Sequence, residues 1–232
     1  MNLQQLQRNL QQAKNPFKAK ILQSFFKTGT GQYGEGDIFL GIVVPEQRKL
    51  AKKYPHLTLE EIQTLLKNNI HEYRFIALLI LINQYKKADN KTKQTIFNFY
   101  LNNTKNINNW DLVDLSAPNI IGNYLLNKDH KILYALANSP RLWEKRISII
   151  ATFEFIRNNQ FEDILKISKI LLNDQHDLIH KAVGWMLREL GKRNQSLLEQ
   201  FLQEHYKTMP RTMLRYAIEK LPEEKREYYL QK

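Results

Sequence analysis

The sequence predicts an all-α protein built from stacked pairs of helices, and three observations carry that reading. Apolar residues recur at helical spacing along almost the whole chain, as in Leu79, Ile82 and Tyr85 or Ile147, Ile150, Ala151 and Phe155, while strand-like alternation is nearly absent. Helix-start signals return at intervals that cluster in the thirties, and a two-helix unit of that period marks a solenoid in which each pair buries its apolar face against its neighbours. Five of the eight glycines (Gly29, Gly31, Gly34, Gly36 and Gly41) fall between Thr28 and Val44, which confines the one long loop to a single stretch.

The elements follow in order. Leu3, Leu6 and Leu10 form one helical face, so residues 2–13 and 16–27 are two helices that cap the open end of the stack. After the loop, Pro45, Ser139-Pro140, Pro210 and Pro222 suit first-turn positions, and Thr58 with Glu61 fits a capping box. First helices then begin near 45, 72, 109, 140, 177 and 210, and second helices near 58, 90, 129, 161, 195 and 222. Gly191, followed by Lys192 and Arg193, reads as a helix stop. The expected organisation is one domain over 1–232, with capping helices and loop over 1–44 and paired-helix repeats over 45–232.

Composition narrows the partner. The 232 residues are 43% hydrophobic and 11% aromatic, enough for a folded core. Lysine and arginine outnumber aspartate and glutamate by 35 to 23, for a net charge of +12. Such an excess concentrates polyanions and gains free energy from counterion release, which puts nucleic acid first and an anionic membrane second. With no cysteine, disulfides, thiolate zinc sites and a cysteine nucleophile are excluded. The N-terminal segment lacks the apolar core of an export signal, and the most apolar run, Phe75 to Ile82, is far shorter than the roughly 20 residues that span a bilayer. A cytoplasmic protein is expected.

Several constellations bear chemistry. Trp110 and Asp114 are one helical turn apart and share a face. Asp111 is a first-turn acid near the positive helix end, a structural role, whereas capping does not explain Asp114. His176 and His180 have the spacing of a metalloprotease helix, but aspartate stands where such enzymes carry a glutamate and no third ligand is signalled; Asp177 reads as a helix cap, His180 as a polar core residue, and no metal is expected. Gly34-Glu35-Gly36-Asp37 completes no nucleotide fingerprint and reads either as a turn that only joins the capping helices to the repeats or as part of a loop that touches DNA. Trp143 and Trp185 are on composition core residues, and Gly184 lets another backbone or a ligand approach Trp185. Arg141, Lys145, Arg146, Lys181, Arg188, Lys192, Arg193, Lys207, Arg211 and Arg215 form either a phosphate track or dispersed solvated charge.

Four segments, in order, resemble the AlkD-type DNA alkylation repair family: Gly34-Glu35-Gly36-Asp37 through Phe39-Leu40-Gly41, Trp110-Asp111-Leu112-Val113-Asp114, Leu142-Trp143-Glu144-Lys145-Arg146 and Lys181-Ala182-Val183-Gly184-Trp185. Met209 to Ala217 adds a fifth. The resemblance implies HEAT-like helical repeats around a concave basic face, and a DNA glycosylase that hydrolyses the N-glycosidic bond of cationic alkylated purines such as 3-methyladenine and 7-methylguanine. Carried over by position, it implies Asp114 as the active-site carboxylate, Trp110 and Trp185 flanking the sugar, and Arg146 on the DNA backbone. Lys145, Lys181, Arg188, Arg211 and Arg215 are the further DNA-binding candidates. The resemblance also implies no deep base-specific pocket. The expected enzyme is monofunctional, with no lyase step because no lysine lies in an apolar segment that would lower its pKa. It needs no cofactor and no metal, has alkylated double-stranded DNA as partner, no membrane, and acts as a monomer. The alternative is a catalytically silent helical scaffold binding nucleic acid or an acidic protein.

Overall fold

The computed structural model describes residues 2–231, and the chain divides into two compact units, Met1–Ser116 and Ala117–Lys232. The first contains α1 (Leu3–Gln12), α2 (Pro16–Phe25), α3 (Val44–Lys53), α4 (Leu59–Leu66), α5 (His71–Lys87), α6 (Asn90–Asn102), a 3-10 turn (Thr104–Asn106) and the body of α7 (Trp110–Ala117). The second contains a π-type turn (Pro118–Gly122), α8 (Asn123–Leu125), α9 (Lys131–Ala137), α10 (Leu142–Arg157), α11 (Glu162–Ile170), α12 (Asp177–Arg193), α13 (Gln195–His205), α14 (Arg211–Ile218) and α15 (Glu223–Leu230). The fold class is all-α with paired-helix repeats. The only extended pairing among the described residues is a single parallel bridge between Ile38 and Ile70.

In the first unit α5 is the central helix. Phe75 through Ile82 are all buried, so the helix is enclosed on every side and its apolar run needs no amphipathic stripe. It packs against α3 and α4. The capping box read from Thr58 and Glu61 is present at the start of α4. Leu6 and Leu10 of α1 are fully buried, and α1 is tied down by Asn9 donating to the Tyr54 hydroxyl at 2.7 Å and Gln11 donating to that of Tyr73 at 2.9 Å.

In the second unit α10, α12 and α14 pack in succession, with α9 and α11 against α10 and α13 against α12. Two glycines set how closely these helices approach. A Cβ on Gly184 would lie 2.5 Å from the Met213 carbonyl oxygen and 2.5 Å from the Tyr216 Cβ, so this glycine admits the backbone of α14. Gly191 is not a helix stop: α12 runs on to Arg193, and the missing Cβ makes room for Leu198 of α13, whose Cδ2 would be 2.4 Å away. Close helix packing, not chain termination, explains it.

Two cap assignments also change. His176, not Asp177, is the N-cap of α12, its Nδ1 accepting from the Leu178 amide at 3.1 Å, while Asp177 is a first-turn acid paired with Lys181 at 2.7 Å. Pro210 and Pro222 occupy the N-cap positions of α14 and α15, one residue before the first turn. Among the described residues no helix is long and apolar enough to cross a membrane.

Candidate active site

The first turn of α7 presents the half-buried indole of Trp110 and, one turn later, the half-buried carboxylate of Asp114. What holds that turn is a set of buried polar groups from three other segments. Asn109, fully buried, accepts from the Trp110 amide at 2.8 Å and donates its own amide to Asp37 at 3.2 Å. Asp111 accepts from the Leu112 amide at 2.8 Å with one oxygen and faces His71 Nε2 at 2.8 Å with the other. The helix-end role read for Asp111 is therefore only half of what it does.

His71, at the start of α5, is 2% exposed, and its Nδ1 faces Asp37 at 3.3 Å. Asp37 also pairs with Arg74 at 2.6 Å. A buried carboxylate is tolerable only with such partners. Burial pushes the Asp37 carboxyl up, but hydrogen bonds and charge from His71 and Arg74 outweigh it and hold it below the ordinary carboxylate range. For His71, burial disfavours the imidazolium, yet the charge and hydrogen bond of Asp111 and the hydrogen bond to Asp37 prevail and raise it to about 9. At neutral pH the ring carries a proton on each nitrogen and donates to both carboxylates.

The glycine loop reaches the same place. Glu72, fully buried beside His71, accepts from the amides of Leu40, Gly41 and Ile42 at 2.9, 2.8 and 3.2 Å. Gly41 has φ +86°, and a Cβ there would lie 2.2 Å from the Asn15 carbonyl oxygen, so only glycine lets the loop end lie against the start of α2. An aromatic group completes the surroundings: Phe39 stacks on His71 at 4.6 Å, Phe26 lies 5.0 Å from His71, and Phe26 stacks on Trp110 at 5.2 Å. Phe25, 61% exposed, meets the Trp110 ring edge-on at 6.0 Å. The structure assigns the loop to securing α5 and α7.

His71, Glu72 and Arg74 were not among the residues singled out by sequence for chemistry, and Asp37 was read only as part of the glycine-rich turn. One signal was available: His71, Glu72 and Arg74 immediately precede the eight-residue apolar run of α5, and charged groups leading into a fully buried helix must find partners.

In the second unit the remaining candidates lie on α10, α12 and α14. Trp185 is half-buried, donates its indole N–H to Glu189 at 3.2 Å, and tilts against Phe153 at 5.8 Å. Arg146 is 4% exposed, and its guanidinium donates to the Leu178 carbonyl in the first turn of α12. Of the other basic candidates, Lys145 pairs with Asp174 at 2.7 Å, Lys181 with Asp177, and Arg188 with Glu219. Arg211 donates to the Leu230 carbonyl at 2.9 Å, and Arg215, one turn later on α14, is exposed. Much of the positive charge on these helices is thus locally compensated.

The family model for DNA alkylation repair enzyme matches residues 6–221. Among solved structures, the chain is similar to a predicted DNA alkylation repair enzyme from Enterococcus faecalis, with 17% identity over 90% of this chain and 97% of that chain and a TM-score of 0.69. At that identity the likeness speaks for the fold. No curated protein sequence matches.

Proposed function

The chain belongs to the DNA alkylation repair enzyme family, and on that premise we propose that it is a monofunctional glycosylase excising cationic N3- and N7-alkylated purines, such as 3-methyladenine and 7-methylguanine, from duplex DNA. The observation that carries this reading is a half-buried carboxylate, Asp114, one turn from a half-buried indole, Trp110, on a helix whose first turn is locked by buried ion pairs.

A purine alkylated at a ring nitrogen is already cationic, so it departs as a neutral base without a general acid. As the glycosidic bond breaks, the sugar becomes an oxocarbenium ion. A carboxylate at that position stabilises the developing charge and orients the water that adds to the sugar carbon, taking up its proton. That is the role of Asp114 in this proposal. The faces of Trp110 and Trp185 attract the cationic sugar, each interaction worth about 0.5–2 kcal/mol. Arg146 holds a neighbouring phosphate, which requires its guanidinium to share or release the Leu178 carbonyl. Lys145, Lys181, Arg188, Arg211 and Arg215 contribute further backbone contacts. Selectivity comes largely from the lability of the charged lesion, with no lyase step, cofactor or metal involved.

The test is release of free base from a duplex carrying 7-methylguanine by the wild type, by Asp114→Asn and without protein. Release by the wild type that the variant lacks supports the assignment. Equal release by both removes Asp114 from the mechanism, and no release with salt-sensitive DNA binding retained replaces the glycosylase with a non-catalytic DNA-binding repeat protein.

A further inference from the structure

We propose that His71 is a positioning residue for this reaction: bridging Asp37 of the glycine loop and Asp111 of α7, it fixes the first turn of α7 and with it Trp110 and Asp114. The proposal rests on the glycosylase reading for its catalytic consequence, but the positioning itself can be measured without it.

The geometry pairs charge with charge, while the neighbouring Glu72 carboxylate is taken up by the loop amides. Two cations, His71 and Arg74, meet two anions, Asp37 and Asp111, with side-chain exposures of 3%, 5%, 4% and 14%. The groups come from three segments: the loop supplies Asp37, α5 supplies His71 and Arg74, and α7 supplies Asp111. Arg74 anchors its own end by donating to the Asn68 carbonyl at 3.0 Å. Only the imidazole reaches both carboxylates, and it does so with opposite ring nitrogens, which requires both protons. Losing the Nδ1 proton keeps Nε2–H on Asp111 and leaves Nδ1 to the Arg74 guanidinium 3.5 Å away, but it removes the positive charge that holds the Asp111 carboxylate in a nearly dry site, which loosens the Asp111 end.

That end is directly coupled to the candidate catalytic groups. Asp111 adjoins Trp110 in sequence and lies three residues before Asp114 on the same helix. The His71 ring also reaches Trp110 through space, by way of Phe26, which lies 5.0 Å from His71 and stacks on Trp110 at 5.2 Å and 14°. Protonated His71 therefore holds α7 by its charge and its ring together. With His71 titrating at about 9, the arrangement is intact at neutral pH and opens in mildly alkaline solution.

The experiment is a pH titration of Trp110 emission in full-length protein carrying Trp143→Phe and Trp185→Phe, with and without His71→Gln, paired with pH–rate profiles of 7-methylguanine release in the otherwise wild-type background. The expected result is an emission step with a midpoint near 9 that His71→Gln removes, leaving the tyrosinate changes common to both proteins. Asp111→Asn, which keeps an acceptor but removes the charge, moves the midpoint down by about 1 unit or more. At neutral pH His71→Gln lowers the single-turnover rate on the order of tenfold or more with DNA affinity little changed, as misplacement of reacting groups does.

A midpoint unmoved by Asp111→Asn, or an unchanged step in His71→Gln, overturns the positioning role. If the Gln variant does not fold, the Asp111→Asn shift decides. A wild type that releases no base removes the proposed reaction, and the emission step then decides the role of His71 on its own.

Discussion

Trp110 stacks on Phe26, with ring centroids 5.2 Å apart and planes 14° from parallel. Phe26 is 7% exposed and lies just past the end of α2, while Trp110 opens α7, so this stacking, with the edge-on contact of Phe25, sets the indole of the candidate site. Replacing Phe26 with Ala should lower stability by about 3–5 kcal/mol, the cost of removing a buried phenyl and leaving a cavity. Phe26→Leu should cost much less. Urea unfolding measures both, and acrylamide quenching of Trp110 should rise in the Ala variant.

Glu72 makes a distinct prediction. Its carboxylate is the acceptor for three consecutive loop amides, at Leu40, Gly41 and Ile42. Glu72→Ala leaves buried donors without partners, at about 1–3 kcal/mol for each one that water does not reach. Limited proteolysis should cut the variant between Thr28 and Val44 at a protease concentration that leaves the wild type intact. Equal resistance would show that the carboxylate does not secure the loop.

The two helical glycines of α12 should respond differently to alanine. At Gly184 the new Cβ meets the Met213 carbonyl and the Tyr216 Cβ, which move only if α14 moves. Gly184→Ala is expected to destabilise by about 1–3 kcal/mol, as overpacking does. At Gly191 the tightest contact is the terminal Cδ2 of Leu198. A rotamer change there, offset by the ~1 kcal/mol helix-propensity gain of Ala over Gly, should leave Gly191→Ala close to neutral. Thermal melting of the pair checks the order.

Stability should depend on pH at both ends of the buried network. His71 titrates higher in the folded chain than its ordinary 6.5, at about 9, so its stabilisation is complete below 6.5 and fades as pH rises through about 9. Asp37 is held below its ordinary 3.8, so its contribution is present above 3.8 and is lost as pH falls through its lower folded value. Urea midpoints measured from pH 6 to 10 should decline in the wild type and decline less in His71→Gln.

Exposure separates the basic residues. Arg215 is exposed on α14, whereas Lys181 is already paired with Asp177. Arg215→Ala should weaken DNA binding at low salt and reduce the slope of log affinity against log salt by about 1. Lys181→Ala should change the slope less. Fluorescence anisotropy across a salt series distinguishes them, and equal slopes for both variants would remove the distinction.

The helices were legible because their determinants are local. Apolar spacing, proline positions and the Thr58–Glu61 box act within a turn or two, and every first and second helix read from them begins within two residues of the position signalled. Trp110 and Asp114 could be placed on one helix face for the same reason. The errors at Gly191 and Asp177 arose where a local signal had a second explanation: Leu198 from the next helix in one case, and the neighbouring His176 ring in the other.

What the sequence by itself determined is the all-α class, the paired helices and the positive charge that goes with an anionic partner. Only the tertiary structure decided that Asp37, His71, Arg74 and Asp111 form one buried network, that Arg146 is turned onto the Leu178 carbonyl, and that Lys145 is neutralised by Asp174. The physical reason is range. Helix periodicity is written between residues three or four apart, whereas Asp37 and His71 are separated by 34 residues and His71 and Asp111 by 40. Which charges meet at such distances is set by how helices pack, and the same packing removes the water that would otherwise make their pairing weak.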